Sequence, residues 1–190
     1  MSNIAKLQKV GDSTFGRIEK INSELLTMTY GSLVTQLLRD FEDTDAVNKQ
    51  LEKMGHKIGV RLIEEYMAKS NPSAGSCKEF KDTAEAIAKV GFKMFLGFNA
   101  QVTSWNQEQT QFSLVFQENP LNDFVELPER LKTEGLFYSN LLCGVIRGAL
   151  EMVQMRVECI FVKCPLRGDD VSEIKVTLID YLKEIVLEDE

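Results

Sequence analysis

One stretch of this chain, Phe137 to Met155, limits the folds open to it more than any other. Leu141, Leu142, Val145, Ile146, Ala149, Leu150 and Val153 distribute apolar side chains almost all round a helix. A helix without a polar face has to be covered on all sides, so it belongs at the centre of a domain. What covers it must come from the other periodic segments. Ser23 to Phe41 repeats Leu25, Leu26, Tyr30, Leu33, Val34, Leu37, Leu38 and Phe41 at helical spacing, with Ser23 as the expected cap. Asp45 to Ser70 repeats Val47, Leu51, Met54, Ile58, Leu62, Ile63 and Tyr66. Gly55 and Gly59 interrupt that helix, each at a cost of up to about 1 kcal/mol against Ala. They therefore mark a bend or a close contact. A third helix is expected over Cys77 to Leu96, ending near Gly97.

The period then changes from helix to strand. Phe112, Leu114 and Phe116 alternate with Ser113 and Val115. Gln101–Asn106 and Thr110–Glu118 predict a hairpin around Gln107-Glu108-Gln109. Arg156–Lys163 and Glu173–Leu178 predict two further strands, and Ile179–Val186 a short final helix. Asp123–Pro128 reads as extended and Glu129–Gly135 as loop. Helices followed by hairpin-connected strands indicate an α+β fold. No linker divides the core, so 21–186 is expected to be a single domain. Residues 1–20 are weakly patterned and are expected to form a flexible N-terminal extension or a partial helix. Residues 187–190 form an acidic tail.

The net charge of −7 opposes nucleic-acid binding, which needs clustered Lys and Arg against phosphate. It also opposes general adhesion to anionic lipid, although one basic face can exist on an acidic protein. Four cysteines (Cys77, Cys143, Cys159, Cys164) include no CxxC pair, and His56 is the sole histidine. No metal site is expected from such a set. Cys159 and Cys164 should point to opposite faces of a strand, which disfavours a disulfide between them. Met1–Lys9 holds no apolar run suited to a secretory signal. Ser2 stands where N-myristoylation needs glycine. No GxxxxGK[ST] or GxGxxG occurs. Gly168-Asp169-Asp170 reads as a turn. Arg61 and Arg147 lie in apolar helical runs and are each expected to pair with a carboxylate or helix-end carbonyl.

Cys77 draws the one chemical question. It follows the loop Asn71–Ser76 and precedes a helical pattern in which Ala84, Ala88 and Gly91 come seven, eleven and fourteen residues later. Ala84, Ile87, Ala88 and Gly91 fall on roughly one helix face, and Cys77 to Gly91 spans roughly 21 Å. A thiol beside a stripe of small residues suits a long acyl chain. More commonly such a stripe lets another helix pack closely, and a single cysteine is inert. From these residues alone, a lipid- or acyl-binding module and a cysteine acyl-enzyme pairing Cys77 with His56 stand beside the inert thiol.

Four blocks of residues carry a resemblance. Gly59-Val-Arg-Leu-Ile-Glu64, Lys89–Gly97, Asn119–Pro128 and Tyr138–Gln154 resemble the Bet-three-type core subunits of the TRAPP (transport protein particle) vesicle-tethering complex, over about Ser23 to Leu178. The resemblance implies the TRAPP small-subunit fold, with helices packed on one side of a four-stranded antiparallel sheet. It implies a non-enzymatic scaffold in ER-to-Golgi transport. Such a subunit is cytoplasmic and peripheral at the cis-Golgi and endoplasmic reticulum membranes. It forms homodimers and pairs with homologous TRAPP small subunits, and the assembly promotes nucleotide exchange on a Rab-type GTPase. Cys77 matches the family's palmitoylated cysteine and Gly91 the small residue that leaves room for the chain, here Gly in place of Ala. Ser76 stands where relatives often carry a basic residue. The acidic end Glu188-Asp189-Glu190 corresponds to the tail implicated in reaching the GTPase. Leu25, Tyr30, Leu33 and Leu37 are the expected partner face.

Overall fold

Two helices whose backbones nearly touch form the spine of the molecule. A computed structural model describes residues 3–70 and 79–182. Among them, helices α1 (Asn3–Arg17), α2 (Ser23–Asp40) and α3 (Thr44–Ser70) come first. A broken helix follows, made of α4 (Phe80–Ala86), a π turn (Ile87–Gly91) and α5 (Phe92–Leu96). Strands β1 (Gln101–Thr103) and β2 (Gln111–Phe116), short helix α6 (Glu129–Thr133), helix α7 (Leu141–Glu151) and strands β3 (Met155–Lys163) and β4 (Ser172–Tyr181) complete it.

Helix α7 lies against α3, and glycines on both make the fit. A Cβ on Gly55 would stand 2.0 Å from the Leu141 carbonyl oxygen, and one on Gly59 2.1 Å from that of Val145. In return, a Cβ on Gly144 would stand 2.0 Å from the Glu52 oxygen, and one on Gly148 2.2 Å from that of His56. No residue with a side chain fits such a contact. The close-contact alternative for Gly55 and Gly59 is therefore the correct one. Asn48 fixes the start of α7 by accepting from the Phe137 N–H and donating to the Gly135 carbonyl, both at 2.9 Å.

The sheet is antiparallel throughout, in the order β1-β2-β4-β3. Phe112, Leu114 and Phe116 of β2, Ile174 and Val176 of β4, and Val157, Cys159 and Phe161 of β3 are buried beneath the helices. The opposite face shows Glu158, Ile160 and Val162 to solvent. Alternation along β3 and β4 thus puts one face of the sheet into the core, while in β2 Ser113 on the other face is buried as well. The α+β arrangement expected from sequence is the one observed. Strand β3 forms an outer edge and carries register shifts at Arg156/Val157 and Phe161/Lys163.

Several local expectations are corrected. Of the two readings of residues 1–20, the partial helix rather than the flexible extension holds over residues 3–17. They form a helix with Gly11 and Thr14 buried, because Gly11 lets α1 approach the Lys89 carbonyl, where a Cβ would stand 2.2 Å away. Asn22, not Ser23, caps α2, accepting from the Glu24 N–H at 2.8 Å. Residues 129–133 are helical rather than loop, since the Pro128 carbonyl at the N-cap accepts from the Leu131 and Lys132 N–H groups. Residues 179–181 extend β4 instead of starting a helix, because Asp180 and Tyr181 pair with Arg156 and Met155. The rest of the expected final helix lies outside the described residues.

Candidate functional site

Residues 80–96 are the part of the expected acyl site that the structure describes, and a π turn divides them. The Phe92 N–H reaches the Ile87 carbonyl, five residues back, so one extra residue is accommodated in the turn. That extra residue breaks the α-helical spacing on which the small-residue stripe was drawn. Ala84 and Ala88 are wholly buried, members of the same apolar core as Phe80, Phe92, Phe98 and Phe112. Ile87 packs half-buried against the same core, and Gly91 is also half-buried. A Cβ on Gly91 would meet nothing nearer than the Ala86 carbonyl oxygen at 4.0 Å. Room therefore exists at Gly91, whereas the four glycines of the α3–α7 crossing have none.

The same turn releases backbone groups that find partners elsewhere. The Ala88 carbonyl accepts from the Ala100 N–H at 3.0 Å, and the Lys89 ammonium donates to the Ala100 carbonyl at 2.7 Å. These two bonds clamp the turn to the strand leaving it. Gly97, at φ +85°, ends α5 and reverses the chain there.

Cys77 itself lies outside the described residues, as do Glu188, Asp189 and Glu190. The three described cysteines are poor nucleophiles. Burial pushes the thiols of Cys143, Cys159 and Cys164 up from their ordinary range, so each stays protonated. All three are free and buried, and Cys159 and Cys164 are unbridged as expected.

The partner face expected on α2 needs correction. Tyr30 and Leu37 are buried, at 4% and 7% exposure, and Leu33 is half-buried. The Tyr30 hydroxyl donates to the Tyr138 carbonyl, and the two rings pack edge to face. Tyr30, Val34 and Leu37 recur on the inward side of the helix. Of the four, only Leu25 is exposed, at 63%, joined by Ile21 and Met28, which sequence reasoning missed. A weaker signal was available, since Met28 lies three residues after Leu25.

The remaining candidates resolve into structural roles. Arg147 pairs with Glu52 at 3.0 Å, as expected of an arginine in an apolar helix, whereas Arg61 is exposed and needs no partner. His56 contacts Glu151 at 2.6 Å. Asp169 accepts from the Cys164 N–H at 2.7 Å, beside Gly168 at φ +101°, so this segment is a turn. Among the described residues no group of His, Cys, Asp or Glu is arranged to hold a metal ion. No described helix is long and apolar enough to cross a membrane.

A helical layer on one face of a four-stranded antiparallel sheet, with tight small-residue packing and no metal cluster among the described residues, defines a class of α+β domains. Comparison with known proteins narrows the class. The family profile described as "Transport protein particle (TRAPP) component" matches residues 26–177. Trafficking protein particle complex subunit 3 of Dictyostelium discoideum is 58% identical over 181 residues, covering 95% of this chain and 96% of its own. Transport protein particle subunit bet3 of Schizosaccharomyces pombe is 47% identical, covering 93% and 94%. A crystal structure of trafficking protein particle complex subunit 3 from Naegleria fowleri, covalently bound to palmitic acid, superposes with a TM-score of 0.84 at 70% identity, covering 87% of this chain and all of that one. The chain belongs to the TRAPP component family, as a Bet3-type subunit.

Proposed function

We propose that this chain is a core scaffold subunit of a TRAPP vesicle-tethering complex in ER-to-Golgi transport. It acts without a catalytic site of its own and contributes to nucleotide exchange on a Rab-type GTPase only through the assembly. Its partners are homologous small subunits and a second copy of itself. It sits in the cytoplasm, peripheral to Golgi and endoplasmic reticulum membranes. In this reading a palmitoyl group is held in thioester linkage to Cys77, and Glu188, Asp189 and Glu190 reach toward the GTPase.

The observation that carries the acyl assignment is the palmitate on the Naegleria fowleri relative, 70% identical to this chain. The room at Gly91 and the full burial of Ala84 and Ala88 in the apolar core are compatible with it. Acylation joins Cys77 Sγ to the acyl carbonyl carbon of a thioester donor. The donor's own C–S bond breaks, and the cysteine proton passes to the departing thiolate or to solvent. Burying about fifteen chain carbons contributes roughly 12 kcal/mol at most. A chain turned inward strengthens the fold instead of anchoring the protein to a bilayer.

Intact-mass measurement of the protein from its own cells tests this. One added palmitoyl mass, removed by hydroxylamine and missing in Cys77→Ser, is the expected result. Gly91→Leu should fold but stay unacylated, and full acylation of that variant would overturn the proposed channel. A stand-alone lipid-binding module would instead release its lipid to solvent extraction and purify without homologous subunits.

A further inference from the structure

Helix α3 carries Lys49, Lys53, Lys57 and Arg61 at a strict spacing of four residues, and all four are exposed. Among the described residues none of them is in an ion pair. The pairs formed elsewhere, such as Lys69–Glu65, Lys132–Glu129 and Lys163–Glu173, engage other cations. Glu52, the one acid between Lys49 and Arg61, is turned to Arg147 at 3.0 Å. Asp45 bounds the row at one end, and Glu64 and Glu65 at the other. A chain of net charge −7 thus carries four cations outside any ion pair along about 18 Å of one helix, with acids other than Glu52 only at the two ends of the row. Concentrated like charge without local neutralisation opposes folding slightly and favours an oppositely charged visitor.

We propose that this row docks an acidic helix of a partner protein, with carboxylates repeating every four residues. Three observations select a helix over an anionic membrane. First, each step of four residues advances about 40° around the axis, so the row fans across about 120°. A plane meets the middle of such a row, whereas a second helix laid along the same ridge follows all of it. Second, the large apolar side chain exposed beside the row is Ile58, at 41%. The Trp, Phe or Leu face that seats an interfacial helix in lipid is lacking on this stretch of α3. Third, a membrane would bring the rest of an acidic surface close to an anionic plane, within a Debye length of about 8–10 Å. A single helix touches the row alone.

Full-length protein is titrated with a fluorescein-labelled helical peptide bearing Glu at every fourth position, and with its Gln counterpart. Vesicles of phosphatidylcholine with and without phosphatidylserine are run in parallel. Binding of the Glu peptide, weakening as salt rises and absent for the Gln peptide, is expected. Reversal of the row (Lys49→Glu, Lys53→Glu, Lys57→Glu, Arg61→Glu) should cost roughly tenfold or more in affinity. The matched reversal of exposed Lys6, Arg39, Lys81 and Arg156 should cost little. Replacement of the row by Gln gives a second, gentler variant should reversal disturb folding, which circular dichroism reports. Equal loss in the row and matched variants, equal binding of the two peptides, no peptide binding at all, or row-dependent binding to vesicles alone would each overturn the proposal.

Discussion

Small residues do opposite things at the α3–α7 crossing and in the broken helix over 80–96. At the crossing, Gly55, Gly59, Gly144 and Gly148 are used up by contact, with carbonyl oxygens only 2.0–2.2 Å from where a Cβ would stand. In the broken helix, Gly91 faces open space to 4.0 Å, while Ala84 and Ala88 are wholly buried in the core. The same sequence signal, small residues at intervals of three or four, therefore marks contact in one place and vacancy in the other. Spacing alone cannot separate these outcomes, because what matters is the element that comes to rest opposite.

The contrast can be broken most forcefully at the crossing. Gly144→Ala must push apart two backbones and should destabilise by about 3 kcal/mol, or roughly 6–12 °C in melting temperature. A melt unchanged within error would mean that the helices are not so closely apposed. Next comes the clamp on the π turn. Lys89→Met removes the charged hydrogen bond to the Ala100 carbonyl and should cost about 1.5 kcal/mol in urea denaturation. Gly91→Ala should move the other way, gaining about 0.5–1 kcal/mol of helix propensity, since the added methyl meets no obstacle. A loss there would show that the space is spoken for.

The smallest effect lies in the sheet, remote from both sites. A hydrogen bond from Lys163, with one from Ser113, holds the Glu173 carboxyl below its usual range. A lowered carboxylate pKa adds stability that is present above the unfolded-state value and is lost as pH falls through the folded one. Glu173→Gln should therefore flatten the acid side of the stability–pH curve and leave its slope near neutrality unchanged. An unaltered acid limb would remove Glu173 from that role.

The four strands, the central position of α7 and the helix-then-strand order were legible because each rests on a period within one short segment. Phe112, Leu114 and Phe116 declare a buried face wherever they are placed. The glycine lock was only half legible. Gly55 and Gly59 stood out within their helix, but their partners lie about ninety residues further on, in a segment whose apolar residues hide two glycines. The π turn left no trace, since Ile87–Gly91 also satisfies an ordinary helical pattern. Helix α1 stood as one of two alternatives for a related reason. Its buried contact is a glycine on a carbonyl, which no hydrophobic periodicity reports. On α2 the residues chosen as a partner face mixed both sides of one helix, so Tyr30 and Leu37 went with the core.

Strand β3 is an outer edge with two register shifts and with Arg156, Glu158 and Lys163 along it. Bulges and charges on an edge bend the backbone away from the straight template that another strand would need. That irregularity denies a passing strand an indiscriminate way to join the sheet at this edge. What such an edge leaves open to contact is side chains, where shape and charge can tell one neighbour from another.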